Sequence, residues 1–430
     1  MDRSLKAVLV GTFALRFATG LTGAMLSAYL ARLTSAGTVG IDAKTVGVLS
    51  AMFFVSELAL SPLFGVLSDR WGHRRVMLYG PVFGAVAVLL MTFSANLVVL
   101  GSTRLLQGAS TAASVPSILG FIALATAGNE TLRGKASARF EGATLAGLGA
   151  GFIVATKAFE LFGTGAFALN AIIYAAAFLV YFLGVRETEA TIAARATGRV
   201  SLRRYLEVVG HSHVLLLAPT WIAVNASIGL WFSQSLYQFN KADPRFPDQW
   251  LLQGFSADQI TLGAIVIAII FGAGILWWGN RFDRFRRTSI ILFGVLGGLA
   301  LTGAGLVVNH AAYAAGGSVL IGAAVAVAAL AVAAGLFVLA GATPAAVGLL
   351  ADVSERFPAD RGAIMGLYSV FLGIGQIGGS LIGGFAADWL GMDGLLIGTA
   401  ALLLLALVPL TRLRATEHHL DPAVASEFGS

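Results

Sequence analysis

No cysteine occurs anywhere in the chain, so disulfide bonds and thiolate metal sites are excluded. Charge is almost as scarce. Only 12% of the 430 residues are Asp, Glu, Lys or Arg, against about 25% in an ordinary soluble domain. The six histidines (His73, His211, His213, His310, His418 and His419) fall in loops, at helix ends or in the tail, and their spacing predicts no metal site. A phosphate-cradling GxxxxGK[ST] loop is missing, and so is a nucleophile, base and orienter trio. ATP-driven pumping and catalysis are therefore not expected, and neither is a bound cofactor.

What fills the chain instead is apolar sequence: 57% of residues are hydrophobic and the mean hydropathy is +0.84. Apolar runs of about 20 residues, enough to cross ~30 Å of hydrocarbon as helix, recur from end to end. They predict an all-α polytopic membrane protein with twelve transmembrane helices, at 6–31, 45–68, 75–95, 97–124, 138–162, 165–185, 213–239, 257–279, 288–309, 314–350, 362–390 and 393–411. The start, MDRSLKAVLVGTFALRF, has the charged head of a signal peptide. Its apolar run continues to Leu30 without a cleavage site, which predicts an uncleaved first helix.

Most of the 28 Lys and Arg fall in segments on the side of the N-terminus, among them Arg70, Arg74 and Arg75, Arg133, Lys135 and Arg139, and Arg281, Arg284, Arg286 and Arg287. Arg32, Lys44, Lys157, Lys241 and Arg245 lie on the other side. Both termini are expected in the cytoplasm of a plasma or bacterial inner membrane. A basic inner face on anionic lipid accounts for the net charge of +6, so the lipid bilayer is an expected partner and nucleic acid is not.

The chain also repeats itself. Laying Pro116 on Pro344 brings Arg133-Gly134 onto Arg361-Gly362, and Gly147 and Gly151 onto Gly375 and Gly379. Two six-helix halves, 1–185 and 213–412, follow from this repeat. Between them, 186–212 predicts a cytoplasmic linker whose Leu202, Tyr205, Leu206 and Val209 share one face of an interfacial helix. The cytoplasmic tail, 413–430, ends in SEFGS, which reads as a cloning scar. The longest external segment, NKADPRFPDQWLLQGFSAD, is expected to be a lid at most.

The most specific motif is GVLSDRWGHRR between the second and third spans, with Gly65, Asp69, Arg70, Gly72, Arg74 and Arg75 in GxxxDRxGxRR order. A degenerate copy, Gly279 to Asp283-Arg284, follows the eighth span. The motif resembles the loop 2-3 signature of the Major Facilitator Superfamily, and the resemblance runs over the whole six-plus-six pattern. It implies a secondary active transporter working by alternating access, with its substrate near the midplane between the halves. It also implies that these residues form a cytoplasmic gate; Glu141, eight residues after Arg133 in the inner half of helix 5, is expected to be a gate partner for the loop arginines rather than a substrate ligand. Gly65 is expected to admit a close helix, and Asp69 to accept hydrogen bonds from Arg or from a helix N-terminus.

Ionisable residues inside a membrane cost about 2.5 to 3.5 kcal/mol even on lenient scales, so each is a functional candidate. Arg16 lies on a stripe with Thr12, Thr19, Gly23 and Ser27, and Glu57 on one with Ser50, Ser61 and Gly65. Their depths are similar, which allows either a structural ion pair or a proton switch. Helix 4 carries Arg104, Gln107, Gly108, Thr111 and Ser114 on one face. Its RxxQG resembles the signature of proton-coupled members of the superfamily, which implies a coupling role for Arg104; snorkelling outward is the alternative. One departure is the absence of the Gly-Pro pair common in helix 5 of drug exporters. The second half offers softer polar groups: Asn225, Trp231, Gln234 and Gln238 on helix 7, and Tyr368 and Gln376 on helix 11.

Together these predict proton-coupled export of a small amphipathic compound by a monomer, driven by a proton gradient. Glu57, Arg16 and Arg104 would couple, and Arg16, Gln107, Asn225, Trp231, Gln234, Gln238, Tyr368 and Gln376 would bind substrate. One alternative is an organic anion or lysolipid-like amphiphile held by Arg16 and Arg104. Another, of a different class, is a non-transporting membrane sensor or assembly factor.

Overall fold

A computed structural model describes residues 3–38, 40–126, 129–186, 217–281, 284–314, 319–355 and 361–416. The expected linker helix, Asp283 and the end of the tail lie outside them. The described chain is helical: α1 Arg3–Ser35, α2 Ala43–Trp71, α3 His73–Phe93, α4 Leu97–Ala125, α5 Glu130–Phe162, α6 Gly165–Gly184, α7 Ala218–Phe239, α8 Ala257–Gly279, α9 Arg287–Ala314, α10 Val319–Leu339, α11 Ala342–Glu355 and α12 Arg361–Thr416. A 3-10 turn, Trp250–Leu252, and one antiparallel bridge, Ala242 to Gln253, shape the loop after α7.

Helix ends follow local chemistry. The Asn96 carboxamide oxygen accepts from the Val98 amide at 2.9 Å and starts α4, and Asn129 caps Leu132 at the same distance to start α5. Gly72, at φ 106° and ψ 133°, makes the turn from α2 into α3 in a conformation that an L side chain resists. Gly391, at φ 62°, breaks α12, and the break falls between the expected spans 362–390 and 393–411.

Ten of the described helical segments are long and apolar enough to cross a membrane, which makes the protein a multi-pass integral membrane protein. Two details separate this number from the expected twelve. Ser369–Ala415 is one continuous segment by that criterion although Gly391 bends it. The helix α7 is not among the ten; it buries Asn225, Ser227, Ser233, Gln234 and Gln238, and those polar groups lower its hydropathy. The expected span 314–350 is also two helices, α10 and α11. They part at Ala340 and Gly341, where a side chain on Gly341 would run into the Trp278 indole at 2.6 to 3.0 Å.

The chain forms two compact units. The first holds α1, α3 to α6, most of α2 and the first turns of α8. Its core includes Leu5, Val8, Met77, Ile118, Phe121 and Tyr181. Lys157 on α5 holds Asp258 of α8 at 2.7 Å within this unit. The second unit holds the rest, including the first turn of α2, around Trp221, Ile290, Ile291, Val295, Leu349 and Leu403. Here Lys44 pairs with Asp388 at 2.7 Å, and Gln234 donates to the Ala43 carbonyl at 3.0 Å. Outward faces stay apolar; Leu320 is 83% exposed and Leu405 65%, as a lipid-facing surface requires.

Candidate functional site

Two helix crossings frame the candidate residues, and both depend on glycine. In the first unit a methyl group on Gly147 would lie 2.6 Å from the Phe13 carbonyl and 2.9 Å from Arg16 Cβ, and one on Gly151 would strike the Phe17 carbonyl. In the second unit a methyl on Gly375 would lie 2.7 Å from the Ile222 carbonyl and 2.6 Å from Asn225 Cβ, and one on Gly379 would strike the Ala226 carbonyl. Gly20 meets the backbone of Leu148 as Gly229 meets that of Gln376. Close backbone approach of this kind is what small-xxx-small spacing permits. The aligned glycines of the sequence repeat thus make equivalent contacts, with Arg16 standing where the second unit has Asn225.

Arg104 is 7% exposed and does not reach outward. Its Nε donates to the Leu49 carbonyl at 3.2 Å, its Nη1 donates to the Gln107 side-chain oxygen, and its guanidinium lies over the Phe53 ring at 4.9 Å. Among the described residues no carboxylate lies within 4.0 Å of it. Gln107, 1% exposed, spends its amide on Met91 Sδ, so it is a buried support for Arg104. A methyl on the last residue of RxxQG, Gly108, would come within 2.9 Å of the Glu57 backbone nitrogen. The motif therefore places Glu57 against α4.

Arg16 and Glu57 form no ion pair. Arg16 nevertheless acts electrostatically on Glu57 of α2, on Glu141 of α5 and on Tyr174 and Tyr181 of α6. It is the charge common to a cluster on three helices around α1. Arg104 approaches the same cluster through Tyr174 and lies 4.0 Å from where a methyl on Gly23 would be. Asn170, the one amide in apolar α6, donates to the Ala18 carbonyl at 2.9 Å and to Thr22 at 2.7 Å. Its isolation in that helix was the signal by which a sequence could mark it. Among the described residues no ion pair joins Glu141 to an arginine; the side chain of Arg133 lies outside them.

Of the second-unit candidates, Asn225, Gln234, Gln238 and Gln376 are buried and Trp231 is half-buried. Trp231 donates its indole nitrogen to Thr399 at 2.9 Å, and Asn225 donates to its own helix at the Trp221 carbonyl. Gln376 is buried against Gly229. The side-chain oxygens of Gln234 and Gln238 are buried without a hydrogen-bond partner. The side chain of Tyr368 lies outside the described residues.

At the loop 2-3 motif, Arg74 donates to the Phe182 carbonyl at 2.7 Å and ties α3 to the end of α6. Asp69 is 63% exposed and, among the described residues, no arginine lies within 4.0 Å of its carboxylate; His73 Nε2 stands 4.0 Å away. His73 itself is buried against Gly120, its Nδ1 3.1 Å from the Ser68 hydroxyl. A methyl on Gly65 would make only ordinary contact with Pro116, at 3.8 Å, so close approach does not explain that glycine. Arg70 and Arg75 are exposed, and Arg284 sits in the turn after α8.

The loop between α7 and α8 is a built strap. Asp243 holds Lys241 at 3.1 Å and Arg245 at 2.8 Å, and Arg245 reaches Asp388 at 3.5 Å. Gln249 accepts from the Met392 amide at 2.7 Å, beside the break at Gly391. Burial pushes the Asp243 carboxyl up, but the hydrogen bonds and charges of Arg245 and Lys241 outweigh it and hold it well below the usual carboxylate range. Among the described residues no group of three or more His, Asp or Glu could hold a metal ion.

Comparisons with known proteins agree with this architecture. Quinolone resistance protein NorA of Staphylococcus aureus is 26% identical over 123 residues, 29% of this chain and 30% of that protein. The matched part thus spans less than a third of NorA. Tetracycline resistance protein, class H, of Pasteurella multocida is 24% identical over 312 residues, 69% of this chain and 73% of that protein. The crystal structure of nucleoside transporter NupG superposes with a TM-score of 0.67 at 14% identity over 96% of this chain and 99% of that one, a likeness of fold. The sequence profile of the Major Facilitator Superfamily matches residues 8–242 and 246–428. With nearly its whole length matched, the chain belongs to the Major Facilitator Superfamily, a family of membrane transporters rather than enzymes.

Proposed function

We propose that the protein is a proton-coupled exporter of a small amphipathic compound, crossing the membrane twelve times and working by alternating access. The observation that carries this reading is the charged cluster around Arg16, set within membrane-spanning helices where charge is otherwise avoided. Glu57 is the proton site, Arg16 its switch and Arg104 the coupling residue, braced by Gln107. The unpartnered oxygens of Gln234 and Gln238 offer acceptors for polar groups of a substrate. The resistance proteins similar to this chain favour an exporter of drug-like compounds. In this reading both termini lie on the cytoplasmic side of a bacterial inner membrane, and a monomer suffices.

The test is ethidium efflux from everted membrane vesicles under an imposed proton gradient. Glu57→Gln is expected to abolish gradient-driven efflux while leaving expression and melting temperature intact; efflux at the wild-type rate sinks the assignment. A second reading, an organic anion held by Arg16, draws on the absence of an ion pair to Arg16. It predicts anion-specific thermal stabilisation that Arg16→Gln removes. Arg104 fits that reading less well, because its guanidinium is already committed to Leu49, Gln107 and Phe53.

A further inference from the structure

On the lipid-facing side of the second unit, a groove of about 380 Å³ runs between α7 and α12, lined by Pro219 and Ala223 of the first and by Leu405, Val408, Pro409 and Arg412 of the second. Residues three and four apart stand on one face of a helix, so the four residues of α12 form a single stripe. Leu405 is 65% exposed and Val408 63%, which turns that stripe to the bilayer. Behind it the unit is closed. The Thr220 hydroxyl donates to the Ala406 carbonyl at 3.3 Å, and Leu217, Trp221 and Leu410 are packed in the core. The groove is therefore separate from the polar side chains buried on α7, Gln234 and Gln238 among them.

Its chemistry changes along its length. The lining is apolar except for Arg412, which lies seven residues beyond Leu405, about 10 Å along the axis. A matching occupant is apolar for most of that distance and anionic at one end. Pro219, in the first turn of α7, and Pro409 carry no N–H, so a hydrocarbon chain can lie against them without covering a bare donor. The Arg412 guanidinium is a planar fork of donors that matches phosphate oxygens and has enough of them to hold one beside a protein partner. Arg414, two positions on and so on the far side of the helix, donates instead to the Ser289 hydroxyl of α9 at 3.4 Å, next to Arg286, whose carbonyl accepts from the Ser289 amide. With these arginines at one end, a headgroup of net negative charge is favoured over a zwitterionic one, whose own cation they would repel.

We infer that the groove between α7 and α12 is a binding site for an anionic phospholipid, with one acyl chain against Ala223, Leu405 and Val408 and the phosphate on Arg412. The bilayer itself supplies the ligand, and no covalent bond is made or broken. A lipid held there braces the start of α7 against the last turns of α12. The inference goes beyond the proposed export and depends neither on what is exported nor on the direction.

Native mass spectrometry of the full-length protein, titrated in detergent with dioleoylphosphatidylglycerol or dioleoylphosphatidylcholine, counts bound lipids one at a time. The wild type is expected to retain a first phosphatidylglycerol at concentrations that leave phosphatidylcholine unbound. Arg412→Gln should weaken that first binding about fivefold or more, the order expected for one arginine at an anionic lipid surface. Val408→Trp fills the groove from its lipid side, keeps every charge and should weaken it as well. Arg414→Gln removes the same charge two residues away and is expected to leave it unchanged. All three positions are exposed, so the variants are expected to fold. Equal retention of the two lipids overturns the inference, as does wild-type binding by Arg412→Gln or by Val408→Trp. An equal loss in Arg412→Gln and Arg414→Gln overturns it too, since that is diffuse attraction to a basic end rather than a site. The readout involves no substrate and no gradient, so a failure of the proposed export leaves it standing.

Discussion

Arg16 and Asn225 are counterparts: each presents its Cβ to a glycine of the partner helix, Gly147 at 2.9 Å and Gly375 at 2.6 Å from where a methyl would be. The same backbone crossing is built twice, once with a charge and once with an amide. Arg16 is therefore not needed for the crossing itself. Arg16→Asn is expected to melt within a few degrees of the wild type, since about 1 kcal/mol moves a melting point by only ~2 to 4 °C in larger proteins. Gradient-driven ethidium efflux should fall about tenfold or more, a change of roughly 1.4 kcal/mol in the barrier.

The crossings should respond to added methyl groups where backbones touch and nowhere else. Gly151→Ala and Gly379→Ala push against the Phe17 and Ala226 carbonyls, and overpacking of this kind costs about 1 to 3 kcal/mol. Gly149 and Gly378, in the same helices, have nothing within 4 Å of an added methyl. Thermal unfolding in detergent should separate the two pairs, with Gly149→Ala and Gly378→Ala near the wild type.

Arg104→Lys keeps the charge and loses the geometry. A lysine cannot bond the Leu49 carbonyl and Gln107 while lying flat over Phe53. Hydrogen bonds to charged groups are worth about 1.5 to 3 kcal/mol when buried. A fall of more than about tenfold in gradient-driven efflux at normal expression is the expected result, and wild-type efflux by Arg104→Lys refutes the need for a planar fork.

Gly72→Ala forces an alanine to φ 106°, ψ 133°, at a cost of about 1 to 3 kcal/mol. Limited proteolysis at the nearby Arg70, Arg74 and Arg75 should speed up in that variant before the global melting point falls.

The Asp243 carboxyl is held below its unfolded value, so its stabilisation is complete above about pH 4 and is lost only as the pH falls through the depressed folded value. Asp243→Asn should therefore lower the melting temperature by the same amount at pH 6 and at pH 8. A destabilisation that grows between those values contradicts the strap as described.

Much is legible in the sequence alone, because a bilayer imposes one-dimensional rules. Apolar run length placed most helices to within a few residues, and the Pro-to-Gly repeat marked the glycines that make equivalent crossings. Spacing fixes which residues share a face, and that alone grouped Gly147 with Gly151. Partner choice is three-dimensional. Gln107 stands on a polar stripe that suggests a substrate ligand, and only the structure shows its side-chain oxygen accepting from Arg104 and the Trp231 indole donating to Thr399. His73 reads as a helix-end residue in the sequence, and only the structure shows its ring buried against Gly120. The sequence determined that this chain is a membrane helix bundle with a doubled pattern, since hydropathy and glycine spacing act along the chain. Only the tertiary structure decided which polar groups are satisfied and which stay without a partner among the described residues, because those pairings join residues far apart in sequence through contacts no local period encodes.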